Sequence, residues 1–375
     1  MRQKAGGMWA KFAALATVVM LAGGASAQSE GSAKIGVTLP LSGPLSVNGR
    51  NYQNAMMLAE KKIKAEQHRP FEVIVYDDKG VTEEAVSAAK KLFSRDGVDA
   101  LVSGAISGPA LAQKEVSREA GKVHVIITAQ HKDITLQGHS HLFRFNTTVE
   151  MGSRALLKYV VEKIKPRSVW YLGVNDEYGR SVAAVYKETL EKSGIQLLGT
   201  EFYNSNDTDF LIYLARGKSA KPDLMMLAAP SDAVAATILK QKKQIGFEAP
   251  VAQAAGVLTK TLVDLAGGAA EGVVSVDSWV KTLDTPANKW FVENYEKDFG
   301  RPAGKQEATA FESLLFLAQA MEKAGSVTDA DKISEVFRTT TFVGPRGNIT
   351  FDAIGQAIVT DYPIVVRKGE IVLAE

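Results

Sequence analysis

Three segments rich in small polar residues follow predicted strands and are candidates for binding a small ligand. They cover residues 39–49, 103–108 and 128–131, and Ser107 lies where a helix should begin. The first turn of a helix has backbone N–H groups without intrahelical partners, so a serine at that point suits an anion such as a carboxylate. The same serine could equally be a plain helix cap.

A fourth candidate is Tyr178, within the segment 175–179 that lies between a predicted strand and a predicted helix. Ligands of doubly wound sheets bind outside the carboxyl ends of the strands, which is where this segment falls. The tyrosine would place an aromatic ring against a ligand. Taken alone, a tyrosine at such a point can also be a packing residue.

The motifs of common enzyme classes are absent from the sequence. There is no Gly-x-Gly-x-x-Gly after a strand, no phosphate-binding Gly-x-x-x-x-Gly-Lys-Ser/Thr loop, no Gly-x-Ser-x-Gly elbow and no His-Glu-x-x-His. An extracellular hydrolase would need a nucleophile paired with a base, and no histidine is obviously placed for that role. We therefore expect no catalytic residue, no cofactor and no enzymatic activity.

Two clusters could suggest a metal. His131, His139 and His141 lie close together in sequence, and Asp77 and Asp78 follow a predicted strand. One loop rarely supplies the geometry of a transition-metal site, so we interpret the histidines as a polar loop and its flanks. An aspartate pair at this point more commonly ends a strand and caps a helix. We expect no metal site.

Composition restricts the class of partner. The chain of 375 residues has 44 Lys+Arg, 42 Asp+Glu, no cysteine and 46% hydrophobic residues. The balanced charge argues against a nucleic-acid partner. The basic cluster 240–243 falls late in a predicted helix, where it fits the negative helix end and a solvated face. The absence of cysteine excludes disulfides and thiolate chemistry.

Residues 1–27 have the pattern of a secretory signal peptide. A basic start is followed by the apolar run 12–22 and by small residues up to Ala27. The run is too short for the ~20 residues of a membrane span, the alternative interpretation. Removal of Arg2, Lys4 and Lys11 with this leader would lower the formal charge from +2 to about −1. We expect export to the periplasm.

After the leader, strands alternate with helices in two successive blocks, which predicts parallel sheets with helices on both faces. No flexible linker separates the blocks. The predicted strands are 35–39, 73–76, 98–102 and 123–127, then 169–172, 195–202, 223–227 and 272–276. A remainder from residue 277 contains predicted helices at 287–299, 306–324 and 330–338 and strands at 347–351 and 357–362.

Short motifs along nearly all of 34–375 resemble the type I periplasmic solute-binding proteins of ABC importers, in the branched-chain amino acid (leucine/isoleucine/valine) class. No single motif is specific, but their order and spacing together are. The motifs are Ile-Gly-Val-Thr-Leu-Pro-Leu-Ser-Gly-Pro at 35–44, Tyr-Asp-Asp at 76–78, Ser-Gly-Ala-Ile-Ser at 103–107, Phe-Arg-Phe at 143–145, Asp-Glu-Tyr-Gly at 176–179, Ala-Glu-Gly at 270–272 and Gly-Pro at 344–345.

The resemblance implies two doubly wound α/β lobes that close on a ligand, joined by three chain crossings near 146–147, 277–278 and 346–347. The N-terminal lobe would comprise 28–146 plus 278–346. The C-terminal lobe would comprise 147–277 plus 347–375. The partners implied are a small-molecule ligand and the membrane permease of an importer, with the binding protein itself a monomer.

The resemblance also carries the family's ligand-binding residues onto this sequence. The carboxylate would be bound by Ser107 and by Thr128, Ala129 and Gln130, and Tyr178 would cover the ligand. Asn48 stands where amino acid binders have a tryptophan wall. Further second-lobe positions are Ser231, Asp232 and Ala255.

Ala255 departs from the family pattern, which has an acidic residue there that pairs with the ligand ammonium. A buried ammonium without a counter-charge is costly. Either Asp232 takes over this role, or the ligand has no α-ammonium; we favour the second. The expected ligand is an aromatic or other non-amino organic acid. The alternatives are a branched-chain or other amino acid and, in a different class of function, a sensory ligand-binding module.

Overall fold

The computed structural model describes residues 32–43, 45–66, 71–136, 138–204 and 206–374. The predicted signal peptide and His68 lie outside the described residues. Within the described ranges, no helix has the length and apolar character needed to cross a membrane.

The first sheet has five parallel strands in the order β2-β1-β3-β4-β5. Ile35, Val37 and Leu39 of β1 are fully buried, as expected for a central strand covered on both faces. The strands are β1 (Ala33–Leu39), β2 (Phe71–Asp77), β3 (Ala100–Ser103), β4 (Val123–Ile126) and β5 (Leu142–Arg144), and the helices between them are α1 (Ser46–Glu66), α2 (Thr82–Ser94), α3 (Ser107–Glu119) and α4 (Asp133–Leu136).

The second sheet has seven strands in the order β15-β14-β10-β9-β8-β6-β7. Strands β6 to β10 are parallel, whereas β14 and β15 run antiparallel at one edge, a common addition to parallel sheets. The strands are β6 (Ser168–Val174), β7 (Gln196–Tyr203), β8 (Leu224–Ala228), β9 (Val251–Gln253), β10 (Val274–Asp277), β14 (Tyr362–Arg367) and β15 (Glu370–Leu373). The helices are α5 (Val149–Tyr159), α6 (Glu177–Lys192), α7 (Leu211–Ala220), α8 (Asp232–Gln244) and α9 (Lys260–Ala266).

Between β10 and β14 the chain adds three helices and a small antiparallel sheet. Most of α11 is buried, and it packs against α1 beside the first sheet. The elements are α10 (Pro286–Phe299), α11 (Lys305–Ala324), α12 (Ala330–Thr339), β11 (Phe342–Gly344), β12 (Gly347–Phe351) and β13 (Ala357–Ile358). The chain therefore passes between the two large sheets three times: after β5, after β10 and before β14.

Buried polar contacts join the segments at these passages. Arg346 and Glu312 form an ion pair in which both side chains are 0% exposed. The Arg346 guanidinium also donates to the carbonyl of Phe145 at 2.9 Å. Gln356 accepts from Arg144 at 2.6 Å and donates to the carbonyl of Asn146 at 2.9 Å. These bonds hold residues 346–356 against the end of β5, so the predicted limit between lobes at 346–347 stays a prediction.

Candidate functional site

A cavity lies between the start of α1, the loop from β3 to α3, and the start of α11. We call it the α1–α11 cavity, and its volume is about 210 Å³. It is lined by Pro40, Leu45, Asn48, Tyr52, Ala105, Ile106 and Gln306. Its walls are therefore mainly apolar, with polar groups supplied by α1 and α11.

The polar groups of the α1–α11 cavity form one network. The side-chain oxygen of Gln306 accepts hydrogen bonds from the Tyr52 hydroxyl at 3.0 Å and from Asn48 Nδ2 at 3.3 Å. Burial raises the pKa of Tyr52 to about 12, with Thr128 and Asn48 within hydrogen-bonding reach of its hydroxyl. Tyr52 is thus a neutral donor at any physiological pH.

Ser107 is the first residue of α3, and Ile106 before it is extended with an apolar side chain that makes no cap. The N–H groups in the first turn of α3 therefore have no side-chain cap. Pro109, in the same turn, has no N–H group. Ser107 is half-exposed beside Ile106, which lines the α1–α11 cavity. The helix start thus retains the anion-binding capacity that the sequence suggested.

The segment after β4 meets the loop before α3. Thr128 Oγ1 donates to the carbonyl of Ala105 at 3.2 Å, and the N–H groups of Thr128 and Ala129 donate to the carbonyl of Gly104. Gly104 has a φ of +82°, and a Cβ there would lie 2.7 Å from Ile126, so the turn requires glycine. Ala129 is 3% exposed and packs in the core, which leaves its side chain unable to line a site.

A second, narrow cavity lies between the ends of the two large sheets. Its volume is about 10 Å³, the space of roughly one water molecule. Its lining brings Gln130 together with Tyr178 and Ala255. The remaining lining residues are 147–149, Gly152, Ser153, Val182 and Ala254.

Tyr178 stands at the start of α6, where Asp176 caps the helix by accepting from the N–H of Gly179 at 2.9 Å. Burial raises the pKa of Tyr178 well above its ordinary value, and the Asp176 carboxylate adds to the rise. A Cβ on Gly179 would lie 1.9 Å from the carbonyl of Val174. This close approach fixes the turn that presents Tyr178.

Lys305, at the start of α11, lies beside Ala255. Its amine is 3.3 Å from the carbonyl of Gly256 and 3.4 Å from a carboxylate oxygen of Asp277, and its side chain is 11% exposed. A cation is therefore present next to the position where the resembling family has an acid. Burial raises the pKa of Asp277, and Lys305 opposes this rise.

Ser231 and Asp232 line neither of these two cavities. Ser231 is exposed at the start of α8. Asp232 accepts a hydrogen bond from Thr259 Oγ1 at 2.7 Å. Burial raises the pKa of Asp232, and Thr259 opposes the rise.

Of the clustered histidines, His139 belongs to a buried hydrogen-bonded chain that also includes His124, whereas the His131 side chain is 42% exposed and His141 contacts Ser334. Ser103 and Ser117 contact the two ring nitrogens of His124 at 2.7 and 2.9 Å, and Ser117 contacts His139 at 3.0 Å. Burial lowers the pKa of His139 to about 4 and that of His124 well below its ordinary value. Over the described ranges, no three His, Cys, Asp or Glu side chains are arranged to hold a metal ion.

Several contributors to these cavities were not identified in the sequence. Tyr52, Gln306 and Lys305 carry no motif, and Gln306 is far from Asn48 in the chain. The sequence offers Asp77 as a strand end or a cation ligand, and in the structure its Oδ1 accepts from the N–H groups of Leu41 at 2.9 Å and Lys79 at 2.8 Å. It thereby fixes the loop at the mouth of the α1–α11 cavity.

Comparison with known proteins gives both a family and relatives. A leucine-, isoleucine-, valine-, threonine- and alanine-binding protein of Pseudomonas aeruginosa is 26% identical over 334 residues, covering 88% of each chain. The substrate-binding protein LivJ of a branched-chain amino acid transporter from Streptococcus pneumoniae, solved with isoleucine, has a TM-score of 0.79 at 23% identity, over 91% of this chain and 97% of that one.

A solute-binding protein of an ABC transporter from R. palustris, solved with benzoate, has a TM-score of 0.78 at 21% identity, over 92% of this chain and 95% of that one. These structures share the expected fold of two doubly wound lobes, which is confirmed. The sequence pattern of the family described as periplasmic binding protein matches residues 32–369. The chain belongs to the periplasmic binding protein family and is similar to the leucine/isoleucine/valine-binding substrate-binding proteins of ABC transporters.

Proposed function

We propose that the protein captures a small carboxylate without an α-ammonium group, such as an aromatic acid, outside the cytoplasmic membrane and delivers it to the permease of an ABC importer. The observation that supports this ligand class is the absence of negative charge from the lining of the cavities. Neither cavity described above has an acidic side chain in its lining. An ammonium buried there would have no counter-charge, at a cost of several kcal/mol.

Two acids near this region, Asp232 and Asp277, are already engaged. Asp232 accepts from Thr259, and Asp277 is paired with Lys305. An ammonium near Ala255 would also face the Lys305 amine. These contacts support an anionic or neutral ligand group on the second-sheet side of the site.

We assign the carboxylate of the ligand to the start of α3. Backbone N–H groups at Ser107 and Gly108 and the Ser107 hydroxyl supply donors there, and Tyr178 would close over the ligand from the second sheet. With a formal charge near −1 after removal of the leader, attraction for an anion must come from these local dipoles and not from a basic surface. No turnover is expected, since binding and release by lobe closure is the whole activity.

A branched-chain amino acid ligand is the second candidate. The observation favouring it is the similarity to the Pseudomonas aeruginosa protein named for leucine, isoleucine, valine, threonine and alanine. In that case the ammonium would have to be bound by backbone carbonyls.

A thermal-shift screen of the chain lacking residues 1–27 distinguishes the two. Benzoate, phenylacetate, leucine and isoleucine are compared at equal concentration; a ligand at a hundredfold excess over its Kd stabilises by about 2.7 kcal/mol. We expect shifts with the aromatic acids. A shift with leucine and none with benzoate would reject the charge argument.

Two variants test the assigned site. Ser107→Ala and Tyr178→Ala should both weaken binding of the hit, whereas Ser219→Ala, an exposed serine of α7, is the matched control. Affinities unchanged in both site variants would place the ligand elsewhere. The limits of the two lobes, 28–146 plus 278–346 and 147–277 plus 347–375, remain part of the proposal.

A further inference from the structure

The α1–α11 cavity is large enough for one aromatic ring with a substituent. Its volume is about 210 Å³, whereas an apolar cavity of about 150 Å³ is known to accept benzene. Pro40, Leu45, Ala105 and Ile106 form its apolar lining. A ring entering from the start of α3 would therefore replace water against apolar surface.

The polar end of the same cavity retains unused hydrogen-bonding capacity. Gln306 uses its side-chain oxygen to accept from Tyr52 and Asn48. Both side chains are half-buried, and among the described residues no hydrogen bond is found for Gln306 Nε2 or for Asn48 Oδ1. A donor and an acceptor thus remain on two side chains that are already hydrogen-bonded to each other.

The orientation of this pair is fixed from behind. Tyr52 is 3% exposed, its hydroxyl donates to Gln306, and Thr128 lies within hydrogen-bonding reach of it. Thr128 is in turn bonded to Ala105, next to the start of α3. The polar end of the cavity is therefore built on the same loops that hold Ser107.

We propose that Gln306 and Asn48 determine specificity for a hydroxyl group on the ligand, at the end remote from its carboxylate. The ligand hydroxyl would accept a hydrogen bond from Gln306 Nε2 and donate one to Asn48 Oδ1. The hydroxyl would thereby act as both acceptor and donor. The cavity lining has no charged side chain, so a second carboxylate or an ammonium would remain uncompensated there. This inference rests on the proposed function, because it assumes a carboxylate at Ser107, and it names hydroxylated aromatic acids as the ligand class.

Isothermal titration of the wild-type chain with matched pairs of acids tests the inference. The pairs are 4-hydroxybenzoate with 4-methylbenzoate and 3-hydroxybenzoate with 3-methylbenzoate, since methyl and hydroxyl have similar size. Leaving a desolvated donor and acceptor without partners costs roughly tenfold or more in affinity. We expect one hydroxy acid to bind at least tenfold more tightly than its methyl partner.

Variants then assign the preference to residues. Gln306→Leu should remove the hydroxyl preference while leaving the methyl acid bound, and Asn48→Leu should reduce it. Gln244→Leu, at an exposed position of α8, should keep the wild-type ratio. If Gln306→Leu does not melt cooperatively, Asn48→Leu and the wild-type ligand pairs still decide.

These experiments distinguish a failure of this inference from a failure of the proposed function. Equal affinity for hydroxy and methyl acids in the wild type overturns this inference and leaves the proposed function intact. Binding of leucine with no binding of any aromatic acid overturns the proposed ligand class, and this inference with it. A hydroxyl preference that survives in both Gln306→Leu and Asn48→Leu overturns the assignment to these two residues.

Discussion

The buried ion pair between Arg346 and Glu312 allows a prediction whose magnitude follows from the structure. Both side chains are 0% exposed. Glu312 also accepts from the backbone N–H of Arg346 at 2.8 Å, and the guanidinium donates to Phe145. Arg346→Met removes the cation and leaves the Glu312 carboxyl buried without its partner. Loss of one member of such a pair costs about 3–5 kcal/mol.

Thermal and urea unfolding of the wild type and of Arg346→Met measure this cost. For a chain of this size the melting temperature should fall by about 4–7 °C. The double variant Arg346→Met with Glu312→Gln should recover most of the loss, because the buried charge is gone and the glutamine oxygen still accepts from the backbone N–H.

The control is an exposed pair of the same residue types. Arg154 and Glu150 of α5 are 52% and 58% exposed and lie one helical turn apart, so Arg154→Met should change the free energy of unfolding by less than about 0.5 kcal/mol. If Arg346→Met costs no more than Arg154→Met, the reasoning from buried charge is refuted.

Two further predictions concern stability. Burial lowers the pKa of His139 to about 4 and that of His124 well below its ordinary value, so both are neutral in the fold; stability should be full above about pH 6.5 and fall as the pH drops toward 4. His139 alone should contribute about 3 kcal/mol of this fall, and melting curves of His139→Gln should show a weaker pH dependence; an identical one would contradict the assignment. Gly49→Ala would place a Cβ 2.1 Å from the carbonyl of Pro40 and should cost about 1–3 kcal/mol and weaken ligand binding. Gly268→Ala, whose Cβ would meet nothing closer than 3.6 Å, is its control in the same unfolding assay, and equal effects would show that the contact is not restrictive.

The sequence predicted the strands whose pattern is local. The run at 35–39 lies within β1, and the run at 123–127 contains β4, because buried parallel strands are short apolar runs bounded by turns. The strands β9, β14 and β15 were missed or misplaced; the predicted strand 357–362 ends where β14 begins. Edge strands and three-residue strands are defined by their partners more than by their own residues.

The site residues also differ in whether the local sequence identifies them. Ser107 and Tyr178 could be proposed from residue type and position after a strand. Ala129 could not be separated from its neighbours by sequence, and its side chain lies in the core. Gln306 and Lys305 could not be found at all, because their partners are distant in sequence: the packing of α11 on α1 brings Gln306 to Asn48, and Lys305 meets the loop after β9 at Gly256.

The start of α11 connects the two arguments about the ligand. Consecutive residues serve opposite sides of the site: Gln306 reaches the polar end of the α1–α11 cavity, and Lys305 reaches the carbonyl of Gly256 beside Ala255. An acidic residue in place of Ala255 would compete with Asp277 for Lys305. A ligand ammonium at this point would face the Lys305 amine, which is already paired with Asp277. The alanine and the lysine together support the proposal of a ligand that brings no positive charge. The same helix supplies the Gln306 amide, which we expect to bind the uncharged, hydroxylated end of the ligand.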